Sequence, residues 1–160
     1  MAKKVKNKKT LVEQILTKAG IDHIGIQINA LEGELPTEYG RNQIFKTLAL
    51  FGDKTGPIIG IVPITEHLAE KKLAKVSGNK KVSMIPQKEL EKTTGYIHGA
   101  NNPVGIRQKH NYPIFIDQTA LDLDKMIVSA GEVGHSIIIR PRDLASFVKA
   151  DFADILEENN

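Results

Sequence analysis

Apolar and polar positions alternate along the chain in two different periods. Leu11, Ile15 and Ala19 recur at helical spacing; Thr10 and Glu13 have the form of a capping box before them, and Gly20 supplies a stop. His23 to Ile28 alternates as a short strand does. Gln43 to Phe51 and Ile58 to Ile64 are apolar, β-branched or aromatic runs around a turn-rich spacer, the pattern of a hairpin of buried strands. Glu66 to Val76 predicts an amphipathic helix ending near Gly78; Lys81 to Ile85 a strand; and Pro86, at N1, opens a helix through Glu91. Thr93 to Gly105 has no periodicity, and neither has the acidic stretch Glu32 to Arg41. Tyr112 to Asp117, Lys125 to Ala130 and Ser136 to Arg140 predict three further strands. Pro141 starts a helix containing Leu144, Phe147 and Val148, and Asp151 to Leu156 predicts one more short turn of helix. Strands connected both as hairpins and through helices point to a single α/β (α+β) domain, a mixed, curved sheet with helices packed outside.

Composition narrows the chemistry. With 160 residues, 41% hydrophobic and 26% charged, the chain is of one-domain length and ordinary globular character. It has no cysteine, which excludes disulfide scaffolds, thiolate metal sites and cysteine nucleophiles. Neither a signal-type apolar region nor a stretch of about 20 apolar residues is visible, so the expectation is a cytoplasmic protein without a membrane partner.

The net charge of +3 conceals strong segregation. Residues 1–9 carry five lysines and no acid, the expected basic tail, and residues 71–109 carry +7, against −4 for 10–70 and −5 for 110–160. Clustered charge steers a polyanion where a small net value does not. Lys71, Lys72, Lys75, Lys80 and Lys81 are the expected nucleic-acid face, with the acidic flanks expected to face elsewhere. A solvated helix face is the plainer reading of the same lysines. Aromatic residues are only 5% with no tryptophan, which disfavours a base-stacking single-strand binder.

Three places carry candidate chemistry. Lys46 lies in a strand whose two faces are both mostly apolar, so its amine either points into a cleft or extends past the strand end to solvent. The glycine-rich stretch Gly95 to Gly105 lets backbone amides turn inward as a cradle for an anion or a carbonyl, or else is a structural loop. Its spacing fits neither a P-loop nor a dinucleotide fingerprint. Ser129, beside Gly131, lacks a nucleophile elbow and reads as a pocket wall. His23, His67, His98, His110 and His135 show no paired ligand spacing, so neither a metal nor another cofactor is expected, and His98 stands out only by its place in the glycine loop.

In order along the chain, Gln43 to Leu48 around Lys46, Lys71 to Lys75 with Lys80 to Val82, Thr94 to Tyr96, Gly99 to Pro103 with Gly105, Pro113 to Asp117, Val128 to Gly131, and Asp143-Leu144 resemble the YbaK/EbsC family, stand-alone relatives of the editing domain inserted in bacterial prolyl-tRNA synthetases. The resemblance spans nearly the whole chain outside the lysine tail. It implies a domain over residues 10–160 with the editing-domain fold, its mixed sheet curved or barrel-like and surrounded by helices. It also implies deacylation of mischarged tRNA in trans, with Cys-tRNA(Pro) the leading substrate type and prolyl-tRNA synthetase or another synthetase a possible partner. Lys46 matches the family's essential lysine, and Gly99 to Pro103 its Gly-x-x-x-Pro substrate loop. The implied catalytic groups are Lys46 and the backbone amides of Gly99 and Ala100. Thr47, Asn101, Asn102, Pro103, Gly105, Ser129, Gly131, Ser136 and Ile28 form the expected substrate site. Attack comes from water or from the substrate's own thiol. Ile28 stands about where cysteine-specific members carry a tyrosine and Ser136 where they carry an aspartate, which leaves the removed amino acid open. The rival functions are a non-catalytic module that binds tRNA or a synthetase, and a small-molecule enzyme reusing the fold.

Overall fold

Two sheets, not one, take up the strands in the computed structural model, which describes residues 9–28 and 38–158. Residues 1–8 of the expected tail and 29–37 of the acidic connection lie outside the described residues. Helix α1 (Leu11–Lys18) starts as a true capping box: the Thr10 hydroxyl accepts from Glu13 N–H at 3.2 Å, and the Glu13 carboxylate accepts from Thr10 N–H at 2.8 Å. There follow β1 (His23–Gln27), a 3₁₀ turn, β2 (Phe45–Gly52), β3 (Gly56–Pro63), α2 (Glu70–Ser77), β4 (Val82–Met84), α3 (Gln87–Thr94) and α4 (Pro103–Lys109). The chain ends through β5 (Ile114–Asp117), a second 3₁₀ turn, β6 (Met126–Glu132), β7 (His135–Ile139), α5 (Pro141–Val148) and β8 (Asp151–Ala153).

The smaller sheet has order β1-β7-β6 and is antiparallel throughout. The larger, ordered β4-β2-β3-β5-β8, is mixed: β2 pairs antiparallel with β3 and β4, while β3–β5 and β5–β8 are parallel. The sheets meet at a parallel bridge between Ile44 and Ile127, beside a bond from Ile64 N–H to the Ile44 carbonyl at 2.9 Å, and they do not close into a barrel. The expected single curved or barrel-like sheet is therefore corrected, although the α/β single-domain class stands. The division follows the connections. The β6–β7 hairpin pairs with itself and with β1, whereas β3, β5 and β8 are joined by crossovers that keep them parallel.

Two other expectations are replaced. Asp151 to Leu156 does not form helix: Lys149 in the left-handed region (φ 56°) ends α5, and Asp151–Ala153 then pairs with Phe115–Asp117 along the free edge of β5. The Asp117 carboxylate fastens this end by accepting from Ile155 N–H at 3.0 Å. The aperiodic stretch ending at Gly105 contains the start of α4. Asn102 caps it, its Oδ1 accepting from Gly105 N–H at 2.6 Å, and Pro103 sits in its first turn.

Strand β2 divides the core. Phe45 and Ala49 pack into the main cluster with Val12, Leu16, Ile59, Ile61, Val128 and Ile139. Leu50, on the opposite face, packs under α2 with Ile58, Val62, Leu73 and Ile155. Among the described residues no helix is long and apolar enough to cross a membrane.

Candidate active site

Strand β4 covers only part of the edge of β2. Its register with β2 runs from Leu50↔Met84 to Gly52↔Val82, and Ile85 N–H then donates to the Ala49 carbonyl at 3.2 Å. The Thr47 carbonyl receives the Asn101 side-chain amide at 3.1 Å, and Ile44 meets Ile127 of the other sheet. A cavity of about 330 Å³ lies along this edge, and residues 44–49 all line it. A run that includes both faces of a strand can share one cavity only along the strand's edge. Met84, Ile85, Gln87 and Leu90 close one side; His98, Gly99 and Asn101 come from the loop before α4; Ile127, Val128 and Ser129 come from β6; Gly134 comes from the β6–β7 turn, and His135 and Ser136 from the start of β7.

Of the residues expected from the sequence, Lys46, Thr47, Gly99, Asn101, Ser129, Ser136 and Ile28 come together on this cavity. Lys46 is half-buried and also lines a second, more open hollow of about 780 Å³ with His67, Lys71, Glu70, Met84 and Glu157. It thus stands on the wall between two concavities. Gly99 adopts φ 90°, a left-handed conformation that favours glycine, and its carbonyl accepts from the Ser129 hydroxyl at 3.4 Å.

Ala100, Asn102, Pro103, Gly105 and Gly131 do not line the cavity. Ala100 N–H donates to the Ile97 carbonyl at 3.0 Å, so it is engaged within the turn instead of serving as a second oxyanion donor. Asn102 is wholly buried, with Nδ2 donating to the Ala100 carbonyl at 3.0 Å in addition to its capping bond. Gly131 N–H donates to the Ser129 hydroxyl at 3.2 Å. These residues shape the loop and the β6–β7 turn from behind.

Thr47 Oγ1 and Asn101 Oδ1 are buried without a hydrogen-bond partner, the two such side-chain atoms among the described residues. Both belong to cavity-lining residues, 9% and 7% exposed. Buried polar atoms are nearly always paired, so an orphan pair beside a cavity marks a place prepared for a ligand or water.

The basic segment is less free than its sequence suggests. Lys72 pairs with Asp154 at 3.0 Å and approaches Glu158 at 3.9 Å, so part of the acidic C-terminal segment faces the lysines instead of turning away. Asp53, from the other acidic segment, accepts from Lys80 and Lys81 N–H at 2.9 and 3.1 Å; the Lys81 amide, first, and then Lys80 hold its carboxyl below the usual aspartate value. Arg107 is turned inward, its Nε donating to the Val148 carbonyl at 2.6 Å, and burial lowers its pKa. The Lys109 ammonium lies 4.7 Å from the Tyr96 ring centroid. Lys71, Lys75, Lys80 and Lys81 keep exposed side chains.

Sequence reasoning passed over His135, Gln87 and Met84, and gave His98 little weight; all four line the cavity. The signal for His135 was its position directly before Ser136, at the mouth of a glycine-flanked hairpin. Among the described residues no group of three or more histidine, aspartate or glutamate side chains is placed to hold a metal ion.

Residues 34–147 match the aminoacyl-tRNA editing domain. The chain is 41% identical over 134 residues to EbsC of Enterococcus faecalis, described as a candidate Cys-tRNA(Pro)/Cys-tRNA(Cys) deacylase, with 84% of this chain and 78% of that protein covered. A solved structure of a candidate trans-editing enzyme for prolyl-tRNA synthetase superimposes with TM-score 0.76 at 22% identity, covering 92% of this chain and 95% of the other. A hypothetical protein of known structure gives TM-score 0.81 at 21% identity, covering 91% and 99%. These two establish likeness of fold. With most of its length matched by the domain and by EbsC, the chain belongs to the aminoacyl-tRNA editing domain family.

Proposed function

We propose that the protein is a trans-acting deacylase of mischarged aminoacyl-tRNA, with a Cys-tRNA(Pro)-like substrate first among candidates. The observation that carries the reading is the meeting of Lys46 with Gly99, Asn101 and Ser129 on one cavity at the edge of β2. Membership of the editing family and the name given to EbsC support it.

The aminoacyl group enters the smaller, largely apolar cavity, where Ile28, Ile44, Ile64 and Met84 suit a small side chain. The terminal nucleotide lies toward the larger hollow, where Lys71 and His67 join Lys46. Lys46, on the wall between them, holds the ribose–phosphate end and fixes the ester carbonyl against the Gly99 turn. Gly99 N–H, with no hydrogen bond among the described residues, serves as the donor to the carbonyl oxygen as negative charge develops. Attack by water forms the new C–O bond, breaks the bond to the ribose oxygen and delivers a proton to that oxygen. Attack by a substrate thiol forms a C–S bond instead, releasing the tRNA and a cyclic thioester, a lyase-type outcome.

The test is amino-acid release from a panel of mischarged tRNAs, with Lys46→Ala as control. Turnover by the wild type well above that of the variant on at least one tRNA is expected. Salt-sensitive tRNA binding without turnover on every substrate would overturn the reading in favour of a binding module.

A further inference from the structure

We infer that Met84, together with Leu48, is the platform on which the terminal base of the tRNA stacks, so that the acceptor end is gripped by the flat face of that base as well as by its ribose and phosphate; the inference rests on the deacylase reading above. Three residues line both hollows, Lys46, Leu48 and Met84, and they form the ridge between them. The pairing of β4 with β2 puts them on one face. Lys46, Leu48 and Leu50 alternate along β2, and Met84 is registered with Leu50, so all four side chains stand on the same side of the larger sheet. Leu50 is wholly buried, but β4 ends at Met84, and from there the face opens: Leu48 is half-buried and Met84 is 47% exposed. Single exposed apolar side chains are ordinary on a protein surface. Among the described residues, however, Met84 alone of the exposed large apolar side chains lines either of these two hollows, and it does so beside Lys46.

The substrate's own chemistry supplies the occupant. With the ester carbonyl against Gly99 and the phosphate toward Lys71, the ribose crosses the ridge at Lys46, and the base it carries needs an apolar surface for its flat face. His67, Glu70, Lys71 and Glu157 of the larger hollow are polar or charged and suit ribose hydroxyls and phosphate, and Leu68 is buried. The apolar surface left open to the base is that of Met84 and Leu48. A thioether is polarizable and packs favourably on aromatic faces, and an unbranched side chain adapts its shape to them. In a chain without tryptophan, Met84 supplies the stacking surface that an aromatic ring provides elsewhere. Such a grip tolerates any base, because every base has a π-face.

The experiment compares the cysteinyl ester of a tRNA ending in adenosine with that of the same tRNA ending in a base-free ribose. The two differ only in the base, so any contact of Met84 with the aminoacyl group, or any purely structural role, affects both alike and cancels in their ratio. Values of KM and kcat are measured for wild type, Met84→Ala and Met84→Leu, with a melting curve confirming that each variant is folded. In wild type the base-free ester is expected to show a KM about three- to tenfold higher, the range of a sulfur–aromatic contact, with similar kcat because the base lies away from the carbonyl. Met84→Ala should bring that ratio to within about twofold of one, and Met84→Leu should retain most of it. A ratio near one in wild type, or one that survives in Met84→Ala, would overturn the inference and leave the deacylase reading intact, because both esters are still cleaved. Collapse of the ratio in His67→Ala instead would overturn it by moving the base to that histidine, which lines only the larger hollow. Failure of wild type to cleave either ester would overturn the two readings together.

Discussion

Gly105 and Tyr96 approach so closely that a Cβ at position 105 would overlap the phenol oxygen and Cζ of the tyrosine. Gly105 is buried in the first turn of α4 and donates its N–H to the Asn102 cap, so this contact fixes where the helix starts. The Asn101 side chain, just before that start, reaches back to β2. Gly105→Ala is expected to destabilise the protein by about 1–3 kcal/mol, an overpacking cost larger than the helix-propensity gain of alanine. It should also lower kcat/KM by displacing Asn101 and Gly99. Denaturant melts beside deacylation kinetics check both. A variant of unchanged stability and activity would show that Tyr96 moves aside freely.

Lys46 is half-buried between two hollows and, among the described residues, makes no ion pair. Removing it leaves no broken network, so Lys46→Ala is expected to change stability by no more than about 0.5 kcal/mol. If it positions the substrate as proposed, kcat/KM should fall by about 100-fold or more. Loss of activity through unfolding instead of through the site would appear in the melting curve.

Much of this site was legible in the sequence because its residues break local patterns. A lysine in an apolar strand and glycines clustered without periodicity are exceptions that need a reason, and Lys46, Gly99 and Asn101 do meet. What could not be read is which backbone groups remain available. Ala100 and Gly99 are neighbours, yet Ala100 N–H is engaged by Ile97 while Gly99 lines the cavity. Turn geometry decides this, not residue type. Elements β1 to β7 and α1 follow from the sequence because each is an alternating or continuous apolar run bounded by turn or capping residues. Strand β8 did not, since three residues hold no period and their conformation comes from the open edge of β5. The division into two sheets was likewise hidden, because it depends on which edges pair at long range.

The lysines should contribute unequally to tRNA affinity. Lys75, Lys80 and Lys81 have exposed ammonium groups, while Lys72 is already paired with Asp154. Each lysine that contacts a phosphate steepens the slope of log K against log salt by about 0.7–0.9. Replacing Lys75, Lys80 and Lys81 together by glutamine is expected to flatten that slope by about 2, and Lys72→Gln to flatten it by much less than one unit. Asp154→Asn should strengthen binding by releasing Lys72. Equal effects of all four lysines in filter-binding titrations would show that the Lys72–Asp154 pair opens on the RNA.

Asp53 gives the fold a pH dependence of known sign. Its carboxylate accepts the amides of Lys80 and Lys81, which lowers its pKa in the folded state. Stability from this contact is therefore complete above the ordinary aspartate pKa near 4 and is lost as pH falls through the lower folded value. Asp53→Asn should melt below wild type at pH 7, and the difference should shrink as the pH falls below about 4. A difference constant across that range would mean that the side-chain amide replaces the carboxylate in full.

The identity of the nucleophile is testable from what surrounds the cavity. The Ser129 hydroxyl donates to the Gly99 carbonyl and accepts from Gly131 N–H, so it is held as part of the loop's support. Among the described residues no carboxylate lines the cavity, which leaves His98 and His135 as the histidine bases on its wall. An enzyme with so little to activate water does best with a substrate that brings its own nucleophile. Cysteinyl-tRNA is therefore expected to be deacylated at least about 100-fold faster than seryl- or alanyl-tRNA of the same body, and His98→Ala and His135→Ala to change its rate by less than about tenfold. Rates within a few-fold of one another would assign the attack to water. In that case the histidine whose removal flattens the pH–rate profile is the base that activates it.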